Sequence, residues 1–329
     1  MRVAVIGATG LVGSLILKIL DERKFPIKEL LVVSSEKSVG KEIFLQDKKH
    51  IMIDIEQAIC LSPELAFFSA EEEISKKWAP IFANIGTMVI DNSSAWRMDD
   101  KIKLIVPEIN AHILSKKDRI IANPNCSTIQ LVMVLNKLHK RYRINRVVIS
   151  TYQSITGTGK KSIDQLITES QGLSTDKVYP HPIFQNSLPQ CDILEDKGYT
   201  KEEIKLIKET IKIMDVVSMK ITATSIRIPV IGGHSENVNI SFDNDFNIEE
   251  LRNFLRKTSG VIVQDDPLNN DYPLPIYSHR KDEVFVGRLR RDFSNEKTLN
   301  AWIVADNLRK GSATNAVQIA EYLIEDFQY

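Results

Sequence analysis

Val3-Ala4-Val5-Ile6-Gly7-Ala8-Thr9-Gly10-Leu11-Val12-Gly13 is the stretch that decides the fold. Four apolar residues in a row, ending at a glycine, read as a strand buried on both faces. Apolar residues at 11, 12, 15, 16, 19 and 20 then read as a helix with one buried stripe. Gly7, Gly10 and Gly13 fall on the turn between the two. Glycines there permit a tight turn, close backbone approach to a pyrophosphate and close packing of helix on strand. The helix start offers unpaired N–H groups and a positive dipole end to phosphate. The pattern is that of a dinucleotide-binding unit, the alternative being a glycine-rich turn without a ligand.

Working outward, Leu30-Leu31-Val32-Val33, Leu65-Ala66-Phe67-Phe68 and Thr87-Met88-Val89-Ile90 repeat the short apolar run, with helical patterns between them. That alternation predicts an α/β fold with a parallel, Rossmann-type sheet. From about residue 124 the pattern changes. Val147-Val148-Ile149-Ser150-Thr151, Ser225-Ile226-Arg227-Ile228 and Val238-Asn239-Ile240-Ser241 alternate apolar and polar residues. Such strands suit a sheet with one face open to solvent or to a partner. Proline-rich loops occupy 179–190 and 265–275, and an amphipathic helix at about 313–327 is expected to pack back on the first domain. We place the dinucleotide-binding domain at 1–123 plus 311–329 and a second, α+β domain at 124–310.

The chain has 329 residues, long enough to bury about three quarters of its surface. Its 43 basic and 43 acidic side chains cancel, so no long-range field draws it to nucleic acid or to an anionic membrane. Anions must be handled by local clusters. The run before Gly7 is too short for a signal segment, and no stretch reaches the ~18 apolar residues of a membrane span. The three cysteines (Cys60, Cys126, Cys191) lie far apart with no CxxC pair, which argues against a disulfide framework and against a metal site. A reducing cytoplasm is the expected location.

Several segments carry chemistry. Ser34-Ser35-Glu36-Lys37-Ser38 follows the second strand, where this fold meets the adenosine ribose. Ser35, Lys37 and Ser38 suit the 2′-phosphate of NADP, whereas Glu36 suits the free hydroxyl of NAD; a solvated turn is the plainer reading. In Asn123-Pro124-Asn125-Cys126-Ser127-Thr128, Pro124 bars any preceding helix and Cys126 sits at a helix start. Orphan amides and the dipole there stabilise a thiolate, the nucleophile of acyl and aldehyde chemistry. Taken alone, an inert buried cysteine is the commoner case. In Arg227-Ile228-Pro229-Val230-Ile231-Gly232-Gly233-His234-Ser235-Glu236, a forked arginine can hold a carboxylate, and the histidine can shuttle a proton. The remaining histidines (50, 112, 139, 181, 279) read as surface residues. Thr200-Lys201-Glu202-Glu203-Ile204-Lys205 puts Glu202 and Lys205 on one helix face, by itself a solvated ion pair. In Asp91-Asn92-Ser93-Ser94-Ala95-Trp96-Arg97, Arg97 reads as an exposed residue at the ligand-binding edge of the sheet.

In combination these segments resemble the aspartate-semialdehyde dehydrogenase family. The resemblance extends through Val106-Pro107-Glu108, Thr151-Tyr152-Gln153-Ser154, Leu188-Pro189-Gln190, Val284-Phe285-Val286-Gly287-Arg288 and Val304-Ala305-Asp306-Asn307-Leu308-Arg309-Lys310-Gly311, and so covers essentially the whole chain. It implies a second domain with a mixed sheet that serves catalysis and homodimer formation. It implies NADPH-dependent reductive dephosphorylation of L-aspartyl-4-phosphate to L-aspartate 4-semialdehyde. Small-molecule substrate and inorganic phosphate are then the partners.

By position, Cys126 matches the family's thioester-forming nucleophile, His234 its acid/base and Gln153 the orienting amide. Arg227 matches the substrate carboxylate clamp and Glu202 the residue near the substrate amine. Arg97, Lys205 and Asn125 match phosphate contacts. Thr9, Gly10, Leu11 and Val12, with Gly7 and Gly13, and Lys37, Ser38, Thr156, Gly157 and Asn307 match cofactor contacts. Three features depart from the family pattern. Glu71-Glu72-Glu73 follows Phe68-Ser69-Ala70 where a Gly-Gly pair is usual, Lys37 stands for an arginine, and Thr156 and Thr158 flank Gly157.

A related thioester-forming reductase of acyl phosphates or acyl-CoA, such as N-acetylglutamyl-phosphate reductase, is the nearest rival. An acylated amine would not need Glu202. A non-catalytic dinucleotide-binding regulator would need none of Cys126, Gln153, Arg227 and His234. Replacing the nucleophile separates the two enzymatic readings from the regulator. Cys126→Ala should lower turnover by at least ~10³-fold while NADP binding, read by fluorescence titration, stays nearly intact.

Overall fold

The computed structural model describes residues 1–45, 48–174 and 176–327. The chain forms two compact units, Met1–Asn125 joined by the segment from Ser312, and Cys126–Gly311.

The first unit runs β1 (Arg2–Ile6), α1 (Leu11–Glu22), β2 (Glu29–Val33), a hairpin of β3 (Glu42–Leu45) and β4 (Lys48–Ile51), α2 (Ile55–Cys60), β5 (Leu65–Phe68), α3 (Glu72–Asn84), β6 (Met88–Asp91), β7 (Lys103–Leu104), α4 (Pro107–Asn110) and β8 (Ile120–Ala122). Its sheet has the order β2-β1-β5-β6-β8-β7 with every pairing parallel. The opening apolar run explains itself. Val3 and Val5 face a cluster containing Ile16, Leu17 and Leu20 of α1, while Ala4 and Ile6 face one containing Ala79 and Phe82 of α3. Both faces of β1 are covered, and each buried valine contributes about 1.5–3 kcal/mol.

The parallel register aligns the strand ends. Ile6 lies beside Val33 and Phe68, Phe68 beside Asp91, and Asp91 beside Ala122. The residues that follow, Gly7, Ser34, Ser69, Asn92 and Asn123, therefore form one row along the carboxyl edge. Backbone bonds continue the ladder into that row: Ser69 N–H donates to Ile6 O, Asn92 N–H to Phe68 O and Asn123 N–H to Asp91 O. Loops that carry ligand contacts in such sheets start here.

The second unit runs α5 (Cys126–Tyr142), β9 (Ile144–Ser154), α6 (Lys160–Ser170), α7 (Lys201–Met214), β10 (Lys220–Ile228), β11 (His234–Phe242), α8 (Ile248–Arg256), β12 (Val261–Val263), α9 (Pro275–Ser278), β13 (Val284–Arg291) and β14 (Thr298–Ala305). Its sheet is mixed, in the order β10-β9-β11-β14-β13-β12; β10–β9 and β12–β13 are parallel and the other pairs antiparallel. Val147, Ile149, Val238, Ile240, Ala301 and Ile303 fill its covered face. Tyr152 and Trp302 meet on the other, with ring centroids 5.6 Å apart.

A π-type turn, Arg309–Ala313, leads into α10 (Thr314–Phe327). Ala316, Val317, Ile319, Ala320 and Leu323 of this helix enter the same cluster as Val3 and Val5. The expected return of the last helix to the first unit is thus observed. The β3–β4 hairpin and the short β7 and β8 have no counterpart in the sequence reading.

The three glycines of the opening turn differ in what they do. Gly7 has φ +77°, and a Cβ there would lie 2.2 Å from the Ser69 carbonyl oxygen. A Cβ on Gly13 would lie 2.2 Å from the Gly7 oxygen, whereas one on Gly10 would meet only that oxygen, at 3.4 Å. Gly7→Ala and Gly13→Ala should each lower the unfolding free energy by ~2 kcal/mol or more in urea titrations. Gly10→Ala should stay within ~1 kcal/mol of the parent yet bind NADP more weakly.

Candidate active site

The nucleophile candidate stands where its sequence put it. β8 ends at Ala122, the chain turns through Pro124, and α5 begins at Cys126 itself. Cys126 is half-buried, Cys60 exposed and Cys191 buried, all as free thiols. Burial pushes the Cys191 thiol up to about 12, so it is inert as a nucleophile. A Cβ on Gly311 would lie 3.0 Å from Cys126 Cβ, so the chain passes the thiol closely only because residue 311 has no side chain.

Strand register builds the rest. Arg227 on β10 pairs with Gln153 on β9. Ser235 on β11 lies opposite Tyr152 of β9, which leaves His234 beside Gln153 at the strand ends. Three residues far apart in sequence thus form one row. Gln153 is buried, and its Nε2 donates to Ser127 Oγ at 3.2 Å, Thr151 Oγ1 at 3.3 Å and Glu202 Oε1 at 3.2 Å.

Arg227 is 7% exposed, and its Nη1 donates to the Ser154 carbonyl oxygen at 2.7 Å. Its Nε has no partner, and among the described residues it makes no ion pair. A buried guanidinium with an idle N–H and no carboxylate is a seat for an anion.

His234 is fully buried; its Nδ1 accepts the Ser154 N–H at 3.1 Å and its Nε2 is unpartnered. An Nδ1 that accepts puts the neutral ring's proton on Nε2, aimed at whatever binds there. Burial first, then the nearby Arg227 guanidinium, hold this imidazole well below its ordinary pKa. A Cβ on Gly157 would lie 2.9 Å from Arg227 Nη1 and 3.4 Å from His234 Nε2, so Gly157 borders both groups.

Glu202 and Lys205 lie on the first turns of α7, which Thr200 and Glu203 start with reciprocal capping bonds. Glu203 also accepts the Ser225 N–H, tying the helix to β10. The Lys205 ammonium lies 2.7 Å from Asp192 and 3.6 Å from Glu202. Their side chains are only 19% and 12% exposed, so this is not the solvated pair that spacing alone suggests. Thr156 and Asn307 bond to each other, and the Asn307 side-chain oxygen accepts the Gly233 N–H. Ser154 Oγ accepts the N–H groups of Thr156 and Gly232. The second unit therefore gathers Cys126, Gln153, Thr156, Gly157, Glu202, Lys205, Arg227, His234 and Asn307.

The first unit holds the others. Gly10 precedes the twelve-residue α1, which has no side-chain cap and no acid in its first turn. With the glycine cradle, that start fits a dinucleotide pyrophosphate, with Thr9, Leu11 and Val12 alongside. Ser35, Glu36 and Lys37 are exposed beyond β2, and Ser38 is half-buried. Arg97 is buried rather than exposed, its Nη2 donating to the Asn92 carbonyl oxygen at 2.8 Å. The sequence pattern does not reveal this burial. Glu71, Glu72 and Glu73 start α3, where negative side chains complement the dipole. Glu72 also binds Lys76 and accepts from Ser94 Oγ, anchoring the loop of Arg97. Asn125 is buried.

Four contributors escaped the sequence reading. Asn315 of α10 donates to Asn123, which donates to Asn92, linking three parts of the first unit. Ser154 gave no signal beyond its place in a matched segment. Asp306 gathers the N–H groups of Arg280, Leu308 and Arg309. His279, read as a surface residue, lies 2.9 Å from Asp306, and its ring blocks any side chain on Gly232. His139 is likewise engaged, accepting the Ile144 N–H.

Fold and comparisons together place the chain among the dinucleotide-dependent oxidoreductases. Family models described as "Semialdehyde dehydrogenase, NAD binding domain" and "Semialdehyde dehydrogenase, dimerisation domain" match residues 2–117 and 135–310. An aspartate-semialdehyde dehydrogenase of Aquifex aeolicus is 47% identical, the match covering 99% of this chain and 98% of that one. One from Legionella pneumophila is 44% identical over 99% and 96%. The crystal structure of aspartate semialdehyde dehydrogenase II of Vibrio cholerae complexed with ASA superposes with a TM-score of 0.95, at 40% identity over 99% and 98% of the two chains. The chain belongs to the aspartate-semialdehyde dehydrogenase family.

His234 gives the site a pH signature. An unfolded histidine takes up a proton near pH 6.5, and the folded one does so only well below. Below that pH the unfolded chain binds more protons, so stability must fall as pH drops from 7 to 5. In His234→Gln this part of the decline should vanish, as measured by urea unfolding across that range.

Proposed function

We propose that Cys126, Gln153, Glu202, Arg227 and His234 carry the family's reaction in this chain, with NADPH as the reductant. Domain limits at 1–123 with 311–329 and at 124–310 belong to the same reading. The observation that carries it is Arg227, buried without a carboxylate and bordering the unpartnered Nε2 of His234. A substrate carboxylate supplies the missing partner, and Glu202 suits the free amine of an amino acid.

The Cys126 thiolate attacks the acyl carbon of aspartyl phosphate. The carbon–oxygen bond to phosphate breaks, and a thioester remains. Arg97, Lys205 and Asn125 take the departing phosphate. Bound NADPH supplies the hydride. His234 Nε2–H hydrogen-bonds the oxygen that becomes negative, sharing its proton there and recovering it in full on collapse, and Gln153 holds the carbonyl oriented as carbon turns tetrahedral. Collapse breaks the carbon–sulfur bond, frees the aldehyde and returns the thiolate. Splitting acyl transfer from reduction is what the covalent step contributes.

Gly7, Gly10 and Gly13, with Thr9, Leu11 and Val12, are assigned to the pyrophosphate. Ser35, Lys37 and Ser38 are assigned to the 2′-phosphate, with Glu36 admitting NAD, and Thr156, Gly157 and Asn307 to the rest of the cofactor. Homodimer formation through the open face of the second sheet is supported by the dimerisation-domain match and by the partly exposed Tyr152 and Trp302. Three free thiols support a reducing, cytoplasmic setting.

Purified protein should oxidise aspartate semialdehyde with NADP only when phosphate is present; turnover indifferent to phosphate would refute the mechanism. Arg227→Lys should lower kcat/KM for the semialdehyde by ~10²-fold, through loss of the fork. A kcat/KM ratio of NADP to NAD near one would overturn the role given to Lys37.

A further inference from the structure

Glu236 has no place in the mechanism above, yet it lies directly behind it. It is fully buried, two residues beyond His234 on β11 and on the same face. Gln130, also fully buried, lies four residues beyond Cys126 on α5. Four helical residues advance ~6 Å, and two strand residues ~6.6 Å. The two side chains therefore stand at one depth behind the nucleophile and the acid. The Gln130 carboxamide lies toward the Glu236 carboxyl, and all four buried polar atoms of the two side chains lack a hydrogen bond, so each group has an unmet donor or acceptor and the other is its available partner.

The surroundings decide the protonation state. On the neighbouring strands Glu236 is flanked by Thr151 and Ile303. Ionisable groups of the surrounding elements include Cys126 on α5, His234 on β11, Arg227 on β10, and Glu202, Glu203, Lys205 and the fully buried Glu209 on α7. Arg227 is engaged by Ser154, and Lys205 by Asp192 and Glu202. Burial drives the Glu236 carboxyl well above the usual carboxylate range. As the neutral acid it offers one donor and one acceptor, the complement of a carboxamide. Its Thr151 neighbour also accepts from Gln153 Nε2.

We propose that Gln130 and Glu236 form a neutral two-point clamp that fixes α5 against β11, and so sets the distance between Cys126 and His234. Both are positioning residues, and the role rests on the reading of Cys126 and His234 given above. An apolar pair would fill the space without polar desolvation, but only directional bonds fix the register of helix on strand.

The test compares the parent, Glu236→Gln, Glu236→Leu, Gln130→Leu and the exchanged pair Gln130→Glu/Glu236→Gln. Readouts are kcat, KM, thermal midpoint and the rate of Cys126 alkylation by iodoacetamide from pH 5 to 9. Glu236→Gln keeps a two-point pair and should retain kcat within threefold and the parental pH profile. It should be at least as stable as the parent above pH 6. There the unfolded glutamate loses its proton and the folded one keeps it, so the parent loses stability as pH rises. Glu236→Leu and Gln130→Leu should lose tenfold or more in kcat with KM within twofold, and should alter the alkylation rate severalfold.

The exchanged pair should regain at least a third of the parental kcat. A parental kcat and alkylation rate in Glu236→Leu would overturn the clamp, as would a displaced pH profile in Glu236→Gln. If the leucine variants do not fold, an exchanged pair below one tenth of the parental kcat overturns it. A parent without phosphate-dependent turnover refutes the enzymatic reading alone, and the alkylation rates then judge the clamp separately.

Discussion

The main chain of Ser154 is the point on which the site of the second unit depends. Its N–H fixes the tautomer of His234, and its carbonyl oxygen holds Arg227. Its hydroxyl gathers the turns at Thr156 and Gly232. Backbone groups at a strand end are pre-aligned by the ladder, so they cost no further side-chain ordering. One residue thereby sets the donor direction of His234 and the position of the Arg227 guanidinium. Ser154 needs no chemistry of its own to do so.

Charge is used in the same local way. A chain with no net charge can act on anions only through local cations. Among the described residues Arg227 makes no ion pair, and its Nε is unpartnered. Lys205, by contrast, is balanced by Asp192 and Glu202. Desolvation makes the first arrangement demanding when empty and favourable when filled. Neutral His234 avoids adding a second buried cation beside it.

The parallel sheet was readable because both faces of β1 are buried, which leaves an unbroken apolar run followed by spaced glycines. Cys126 was readable because Pro124 and the helix pattern mark its position locally. Burial of Arg97, the link from His279 to Asp306, and the pairing of Gln130 with Glu236 were not. Each depends on contacts between segments far apart in sequence, and strand register is set by the whole sheet rather than by the residues concerned. The glutamates after Ala70 stand where the family pattern has a Gly-Gly pair. As the first turn of α3, with Glu72 braced by Lys76 and Ser94, they are ordinary helix-starting residues. The β3–β4 hairpin was missed because its exposed faces leave little hydrophobic alternation to read.

The placement of α10 in the core of the first unit has a consequence for biosynthesis. The second unit is one uninterrupted length of chain, Cys126–Gly311, whereas the first is completed by residues translated after it. On the ribosome, the face of the sheet that Val3 and Val5 share with α1 stays only partly covered until α10 emerges. The order of maturation is therefore the reverse of the usual vectorial one, in which the N-terminal domain folds first. The half-built sheet is the species that a nascent-chain chaperone would meet.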